Sequence, residues 1–291
     1  MRIGIFVDDM GKSVDEYFEE VQAARAAGIT AVWLGERLSW DPLTLLAMTS
    51  RDFPDLTVGS AITRTYARHP LALAAQALTV GERLVLGIGP SHQPLIEGQY
   101  GYSYDKPVRH MREYLTALRP LLRGESVDYQ GETLKVSGKI VAEGSQPPPV
   151  LVSALGPQML RLAAELTDGT ITTWAGPRTI GDYYAPALRK AGPGTQVVAS
   201  ITVSVTADPA AAREKLNQTY GMARTLPSYQ RVLEREGVDT IGDMLVAGDE
   251  DEVAREILRH RDAGATEIVA ILVGSEQDQR RTLTVLGEVR T

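Results

Sequence analysis

Residues 83–92 read RLVLGIGPSH and decide the fold class. An uninterrupted apolar strand ends at Gly87-Ile88-Gly89-Pro90, and Ser91 and His92 follow at once. A strand buried on both faces of a parallel sheet reads as such a continuous apolar run, and ligands bind beyond the carboxyl ends of these strands. The stretch therefore predicts a buried parallel strand with His92 at the position where chemistry is expected.

Seven further apolar runs of strand length alternate with helical segments, which is typical of βα units around a parallel sheet. The sequence predicts a (β/α)8 TIM barrel with inserted segments, forming a single domain over residues 1–291. A doubly wound open sheet is the alternative, because a sequence shows the number of strands better than their closure. The predicted strands are Ile3–Val7, Ala31–Gly35, Leu56–Ile62, Leu84–Ile88, Val150–Ser153, Gly169–Thr173, Val197–Val205 and Glu267–Val273.

Helix start and stop signals separate these strands. Gly28 ends the first amphipathic segment, Pro70 opens the second helix, and acidic residues precede the last one. The predicted helices are Val14–Ala27, Pro70–Val80, Val108–Leu122, Pro157–Leu166, Thr179–Ala191, residues 210 to about 235, and Glu250–Ala263.

Two segments interrupt the alternation of strands and helices. Residues 93–107 are rich in glycine and tyrosine and predict an active-site loop, because a long loop after a barrel strand is usually a lid or a binding loop. Residues 124–149 contain two short β-like pieces followed by three prolines, and they predict an excursion inserted before the fifth strand.

Composition restricts the function classes. The net charge of −7, from 30 basic and 37 acidic side chains, provides no basic surface for nucleic acid or anionic lipid. The chain has no cysteine, which excludes disulfides and thiolate chemistry, and its four histidines do not lie at metal-ligand spacing, so no metal site is expected. Without an apolar run of about 20 residues or a signal-peptide pattern, we expect a cytoplasmic protein that acts on a small molecule.

Five stretches together resemble the luciferase-like family of flavin and deazaflavin oxidoreductases, and the resemblance covers nearly the whole chain. It is strongest to the branch that uses coenzyme F420, an 8-hydroxy-5-deazaflavin. It implies a TIM barrel with the cofactor ring at the carboxyl ends of the strands and, by analogy, a homodimer. The stretches are RLVLGIGPSH (83–92), YARHPLALAAQALTV (66–80), VRHMREYL (108–115), PPVLVSALGPQMLRLAAELTDGTITTW (148–174) and LPSYQRVLEREG (226–237).

The resemblance also implies which residues bind the cofactor. It places a non-proline cis peptide at Ala61–Ile62, against which the ring lies, and it assigns Thr63, Gly89, Ser91 and His92 to the same site. The phosphate site corresponds to Ser153, Ala154, Leu155, Gly156 and Pro157, where a helix start attracts an anion. An ordinary glycine turn is the alternative there. Trp174 follows the sixth predicted strand and is either a wall of the site or a core residue.

Three residues are the candidates for catalysis. His92 occupies the position of a proton-donating glutamate in the sugar-phosphate dehydrogenases of the wider family, and it either donates a proton or only hydrogen-bonds the cofactor. Arg37 stands where those enzymes keep a histidine, which argues against a simple transfer of their mechanism. Glu36 and Arg37 contact the ring edge or substrate, or they form a structural ion pair. Arg64 and Arg68 could reach anionic groups, although salt-bridged arginines are commoner.

The leading hypothesis is an F420-dependent oxidoreductase that transfers hydride between C5 of the deazaflavin and a small organic substrate, reducing a polarised C=C or C=N bond. An FMN-dependent luciferase-like monooxygenase is the alternative, since the two cofactors share ring shape and phosphate. A non-catalytic cofactor carrier is the third hypothesis. The polar residues Glu36, Arg37, Arg64 and His92 argue against a carrier, because they suggest a working pocket.

Overall fold

Eight parallel strands close into a barrel in the computed structural model, which describes residues 1–192 and 194–289. Each strand pairs with the next along the chain, and the last pairs with the first, so the alternative of an open sheet is wrong. The barrel strands are β1 (Arg2–Phe6), β2 (Ala31–Leu34), β3 (Thr57–Ser60), β4 (Leu84–Gly89), β5 (Val150–Ser153), β6 (Gly169–Thr173), β7 (Gln196–Val205) and β8 (Glu267–Leu272).

All eight predicted strands are confirmed, and the largest difference in their bounds concerns β3. The predicted strand Leu56–Ile62 leaves the ladder after Ser60, and a short strand, Thr63–Arg64, resumes pairing with β4. The chain bulges between these two segments. This bulge lies at the carboxyl end of the barrel, where the sequence predicts the ligand.

Helices surround the barrel. Those between β1 and β5 are α1 (Val14–Ala26), α2 (Pro42–Asp52), α3 (Pro70–Val80), α4 (Gln93–Tyr100) and α5 (Pro107–Leu122). Those that follow β5 are α6 (Pro157–Leu166), α7 (Pro177–Thr179), α8 (Ala185–Arg189), α9 (Pro209–Tyr220), α10 (Pro227–Glu236), α11 (Glu250–Ala263) and α12 (Glu276–Glu288). Within residues 1–192 and 194–289, no helix is both long and apolar enough to cross a lipid bilayer.

The predicted loop at residues 93–107 is wrong in its first half. Gln93–Tyr100 is helix α4, which has a proline in its first turn and ends at Gly101 in the left-handed conformation (φ 69°). Proline at a helix start and glycine just past its end are ordinary helix boundaries. The tyrosines and glycines of the segment are more typical of a loop, which is why the sequence predicts a loop where an eight-residue helix forms.

The predicted continuous helix over residues 210–235 is also wrong. It is divided into α9, a 3-10 turn over Gly221–Thr225, and α10. Pro227 lies in the first turn of α10, where its missing N–H has no helical partner to lose, whereas the interior of one long helix would not accommodate it. The break allows α10 to turn back toward the barrel mouth.

Further differences are smaller. The predicted helix Thr179–Ala191 is α7 and α8 joined by a π-helical turn over Ile180–Tyr184. The excursion at residues 124–149 contains an antiparallel hairpin, Val127–Gln130 with Lys135–Gly138. The predictions omit α2, α12 and the short strand Val246–Gly248, which pairs with β7.

The amino-terminal end of the barrel is filled. Trp33 is fully buried there, and its indole Nε1–H donates to the Glu267 carboxylate at 2.8 Å. Arg2 contacts the same carboxylate at 2.8 Å, while burial raises the pKa of Glu267 above its usual value. A Cβ on Gly59 would overlap the Trp33 ring, so only glycine fits at that position. The open space of the barrel therefore lies at its carboxyl end.

A buried histidine outside the barrel makes stability depend on pH. His110 is 6% exposed, stacks on Tyr66 with ring centroids 4.0 Å apart, and burial lowers its pKa to about 4. The unfolded chain binds a proton on this side chain near pH 6.5, so stability is lost as pH falls from about 6.5 toward 4. We expect His110→Gln to remove up to about 3 kcal/mol of this acid loss, measured by urea unfolding between pH 7 and pH 4.

The control is the pH dependence of the wild-type unfolding curve, and parallel curves for wild type and variant would contradict this account.

His260, which looks like a surface residue from the sequence, is only 2% exposed, so that interpretation is wrong. Burial lowers the pKa of His260 as well, so part of the acid loss persists in the variant.

Candidate active site

A cavity of about 1050 Å³ opens at the carboxyl ends of the barrel strands. Its wall is built from the residues that follow β2, β4 and β5, from the bulge after β3, and from the first turn of α10. Most of the predicted site residues line it. These are Glu36, Arg37, Ala61, Ile62, Gly89, Ser91, His92, Ser153, Leu155, Gly156 and Pro157.

Three predicted cofactor residues do not line the cavity. Thr63 and Ala154 are fully buried behind its wall. Trp174 is 8% exposed and packs edge-on against Tyr229, with ring centroids 4.9 Å apart. Trp174 therefore supports a wall residue instead of forming the wall.

The bulge after β3 forms one face of the cavity. The Ala61–Ile62 peptide bond is cis, as predicted, and the Ile62 carbonyl accepts a hydrogen bond from the Glu36 N–H at 3.1 Å. Gly87 and Gly89 of β4 make room for this bulge. A Cβ on Gly87 would overlap the Ser60 carbonyl oxygen, and one on Gly89 would lie 3.1 Å from the Ile62 side chain. Gly87 is thus required by close backbone approach, whereas Gly89 leaves room for the Ile62 side chain.

Helix N-termini without side-chain caps surround the cavity. Helices α4, α5, α6 and α10 all begin at residues that line it, and none of the four has a side-chain cap. Six other helices begin away from the lining and are each capped by a side chain. Those caps are Ser13, Asp41, His69, Asp208, Asp249 and Ser275.

The start of α6 fits a phosphate group. Gly156 precedes this helix, and a Cβ built on it would meet no protein atom within 4 Å. The first-turn N–H groups and the positive end of the helix dipole attract an anion, and the open space at Gly156 lets the anion approach the backbone. This arrangement agrees with the predicted phosphate site at residues 153–157.

His92 lies at the junction of β4 and α4. Its Nε2 is 3.2 Å from the hydroxyl of Tyr229, which α10 brings over the cavity. Burial, and secondarily the positive charge of Arg64, lower the pKa of His92, so the imidazole is neutral at pH 7. Burial raises the pKa of Tyr229 to about 12, so its hydroxyl stays protonated and can donate to the imidazole or accept from it.

The charged groups of Glu36 and Arg37 are already engaged within the protein. Arg37 pairs with Asp8 and, at 3.1 Å, with Asp9. Glu36 accepts a hydrogen bond from the backbone N–H of Arg64 at 2.9 Å and lies 3.5 Å from the Arg68 guanidinium. Both side chains border the cavity, but each is in a structural ion pair with other residues, and the two are not paired with each other.

Two contacts of the site are not predicted by the sequence. Residues 226–229 belong to one of the stretches that carry the family resemblance, yet nothing in the sequence indicates that Tyr229 reaches His92, 137 positions away. The sequence also does not predict the cap of α7. The Glu236 carboxylate accepts hydrogen bonds from the backbone N–H groups of Arg178 and Thr179 at the start of this helix. Both contacts fix α10 over the cavity.

The family follows from comparison with known proteins. A family model described as luciferase-like monooxygenase matches residues 1–281. The chain belongs to this luciferase-like family. A curated member, 5,10-methylenetetrahydromethanopterin reductase from Archaeoglobus fulgidus, is 28% identical, with 99% of this chain and 98% of the relative covered.

Two solved structures share the luciferase-like fold. Coenzyme F420 dependent tetrahydromethanopterin reductase from Methanopyrus kandleri has a TM-score of 0.81 at 22% identity, covering 99% of this chain and 97% of the other. An F420-dependent secondary alcohol dehydrogenase, solved in complex with an F420–acetone adduct, has a TM-score of 0.82 at 19% identity, covering 99% and 98%. At these identities, the likeness establishes the shared barrel.

Proposed function

We propose that this protein is a coenzyme F420-dependent oxidoreductase that transfers hydride between C5 of the deazaflavin and a small organic substrate, in the direction that reduces a polarised C=C or C=N bond. The observation that carries the proposal is the convergence of the bulge, the open start of α6 and His92 on one cavity. The names of similar family members, which specify F420, support the choice of cofactor.

The residues of the cavity have separate roles in this proposal. The backbone of the bulge at Ala61–Ile62 would support one face of the planar ring, and the first turn of α6 would hold the phosphate. When bound, the deazaflavin would supply the hydride. His92 holds the proton for the atom next to the one that is reduced, and the Tyr229 hydroxyl orients its imidazole. The protein positions the reactants and excludes water.

Fluorescence titration of the cofactor-free protein tests the choice of cofactor. We expect F420 to bind tightly and FMN weakly. Tight FMN binding with negligible F420 binding would reject the proposal in favour of a flavin-dependent monooxygenase, which the description of the family model favours as the second candidate.

Gly156→Ala is expected to weaken F420 binding about tenfold or more while leaving the free energy of unfolding unchanged. The added methyl group meets no protein atom, so it obstructs only a ligand that approaches the backbone at the start of α6. The measurement is the Kd of F420 by fluorescence, together with urea unfolding.

Gly98→Ala is the matched control, because its Cβ also meets no atom within 4 Å but Gly98 does not line the cavity. Equal F420 affinities of Gly156→Ala and Gly98→Ala would show that the phosphate binds elsewhere.

The proposed homodimer has support from exposed apolar side chains. Leu38, Trp40 and Met48 are 60%, 46% and 41% exposed and belong to one stretch of the chain after β2. Light scattering on the purified protein checks the oligomeric state.

A further inference from the structure

Among the described residues, the buried cation Arg64 has no acidic partner. It ends the short strand Thr63–Arg64, is 7% exposed and lines the cavity. Its guanidinium donates to the Tyr100 hydroxyl at 3.3 Å and lies 5.9 Å from the centre of that ring. In the part of the chain that the structure describes, no carboxylate lies within ion-pair distance of this guanidinium.

The neighbouring arginines are paired. Arg37 has Asp8 and Asp9, and Arg68 has Glu36 and Asp41. The Glu36 carboxylate, which also lines the cavity, already accepts the backbone N–H of Arg64 and faces Arg68. Buried charges in proteins are paired, because an unpaired one costs several kcal/mol of desolvation. A ligand is therefore the expected source of an acidic partner for Arg64.

The position of Arg64 indicates which ligand supplies it. Arg64 is in register with Gly89, three residues before His92, and its charge is felt at the His92 imidazole. The start of α6 follows β5, which is the next strand beyond β4. Arg64 therefore lies on the His92 side of the cavity, one strand away from the strand that leads into α6.

We propose that Arg64 binds a carboxylate group of the substrate, so that the substrates of this enzyme are carboxylate-bearing compounds. The assignment to a substrate rests on the proposed function, whereas the anion site itself is a property of the chain. A guanidinium is suited to this task because it offers a planar pair of donors to a carboxylate, and its hydrogen bond to Tyr100 orients it.

Calorimetric titration with benzoate and its neutral isostere benzamide tests this proposal on the protein saturated with F420. We expect benzoate to bind wild type at least about tenfold more tightly than benzamide, and Arg64→Met to lose this difference. Arg64→Lys is expected to retain part of it, because the charge remains without the planar fork. Arg161→Met, which removes an exposed arginine of α6, is the matched control and is expected to behave as wild type.

A second measurement locates the anion. Benzoate is expected to shift the NMR resonance of the His92 ring in wild type and in Arg161→Met, but not in Arg64→Met. Circular dichroism checks that the variants fold. Should Arg64→Met fail to fold, the benzoate and benzamide titrations of wild type and Arg64→Lys still decide the question.

Three results would overturn the proposal. The first is equal benzoate affinity in wild type and Arg64→Met, and the second is no benzoate binding to wild type up to about 50 mM, above the millimolar affinity of one buried ion pair. The third is benzoate binding to the cofactor-free protein that is lost when F420 is added, which would assign Arg64 to the cofactor. If the protein binds no F420 at all, the proposed function fails, and the same titrations on the cofactor-free protein still test the anion site.

Discussion

His92→Gln is expected to lower kcat by about 10²-fold or more while the Kd of F420 changes little. Glutamine keeps a polar side chain beside Tyr229 but cannot deliver a proton, because its amide does not titrate near neutral pH. The measurement is steady-state turnover with reduced F420 and an unsaturated or imine compound found by screening. This substitution has the largest effect on activity that the site predicts.

The pH profile separates proton donation from simple hydrogen bonding. Because burial and Arg64 lower the pKa of His92, the protonated imidazole is the minor form at pH 7. Wild-type kcat is therefore expected to rise as pH falls toward that lowered pKa, whereas the profile of the glutamine variant is expected to be flat. Tyr229→Phe, which keeps the ring but removes the hydroxyl bonded to His92, is expected to give a milder loss. Unchanged turnover of His92→Gln across the pH range would remove His92 from the chemistry.

Gly87→Ala is expected to destabilise the protein by about 3 kcal/mol or more. Its Cβ would overlap the Ser60 carbonyl oxygen, which is backbone and has no rotamer by which to move aside. The Ser60 hydroxyl in turn donates to the Gly87 carbonyl at 2.8 Å, so strands β3 and β4 are held together at this point. The measurement is the midpoint and slope of urea unfolding.

Gly98→Ala again serves as the reference, since its added methyl group has free space on a helix surface. An unfolding midpoint of Gly87→Ala equal to that of Gly98→Ala would show that β3 and β4 can separate without cost. The close approach of these strands would then not explain the GIG motif.

The strands and the main site residues could be predicted because their signals are local. A parallel strand buried on both faces is a continuous apolar run, and this is why all eight strands are recognisable. His92 and Gly156 follow directly after such strands, so their place at the carboxyl end of the barrel comes with the strand assignment. The short helix α4 and the break before α10 were less predictable, because their boundaries depend on single glycines and prolines within atypical sequence.

The ion-pair partners could be identified only from the folded structure. Arg37 and Asp8 are 29 positions apart, and Arg68 and Asp41 are 27 positions apart, so no spacing rule connects them. The same is true of His92 and Tyr229. These side-chain contacts depend on how the loops after different strands converge at one end of the barrel.

The periodicity of apolar residues and the glycine and proline signals along the chain were sufficient to specify eight βα units around a parallel sheet. They also placed a histidine and a glycine turn at the carboxyl ends of the strands, because buried strands and helix starts select their residues locally. Only the tertiary structure decided that the strands close into a barrel and that Glu36 and Arg37 pair with other residues of the protein. It also decided that Trp174 stands behind Tyr229 and that Arg64 faces the cavity with no acidic partner among the described residues. Charge pairing is a property of three-dimensional proximity and desolvation, and neither quantity is recorded in the order of the residues.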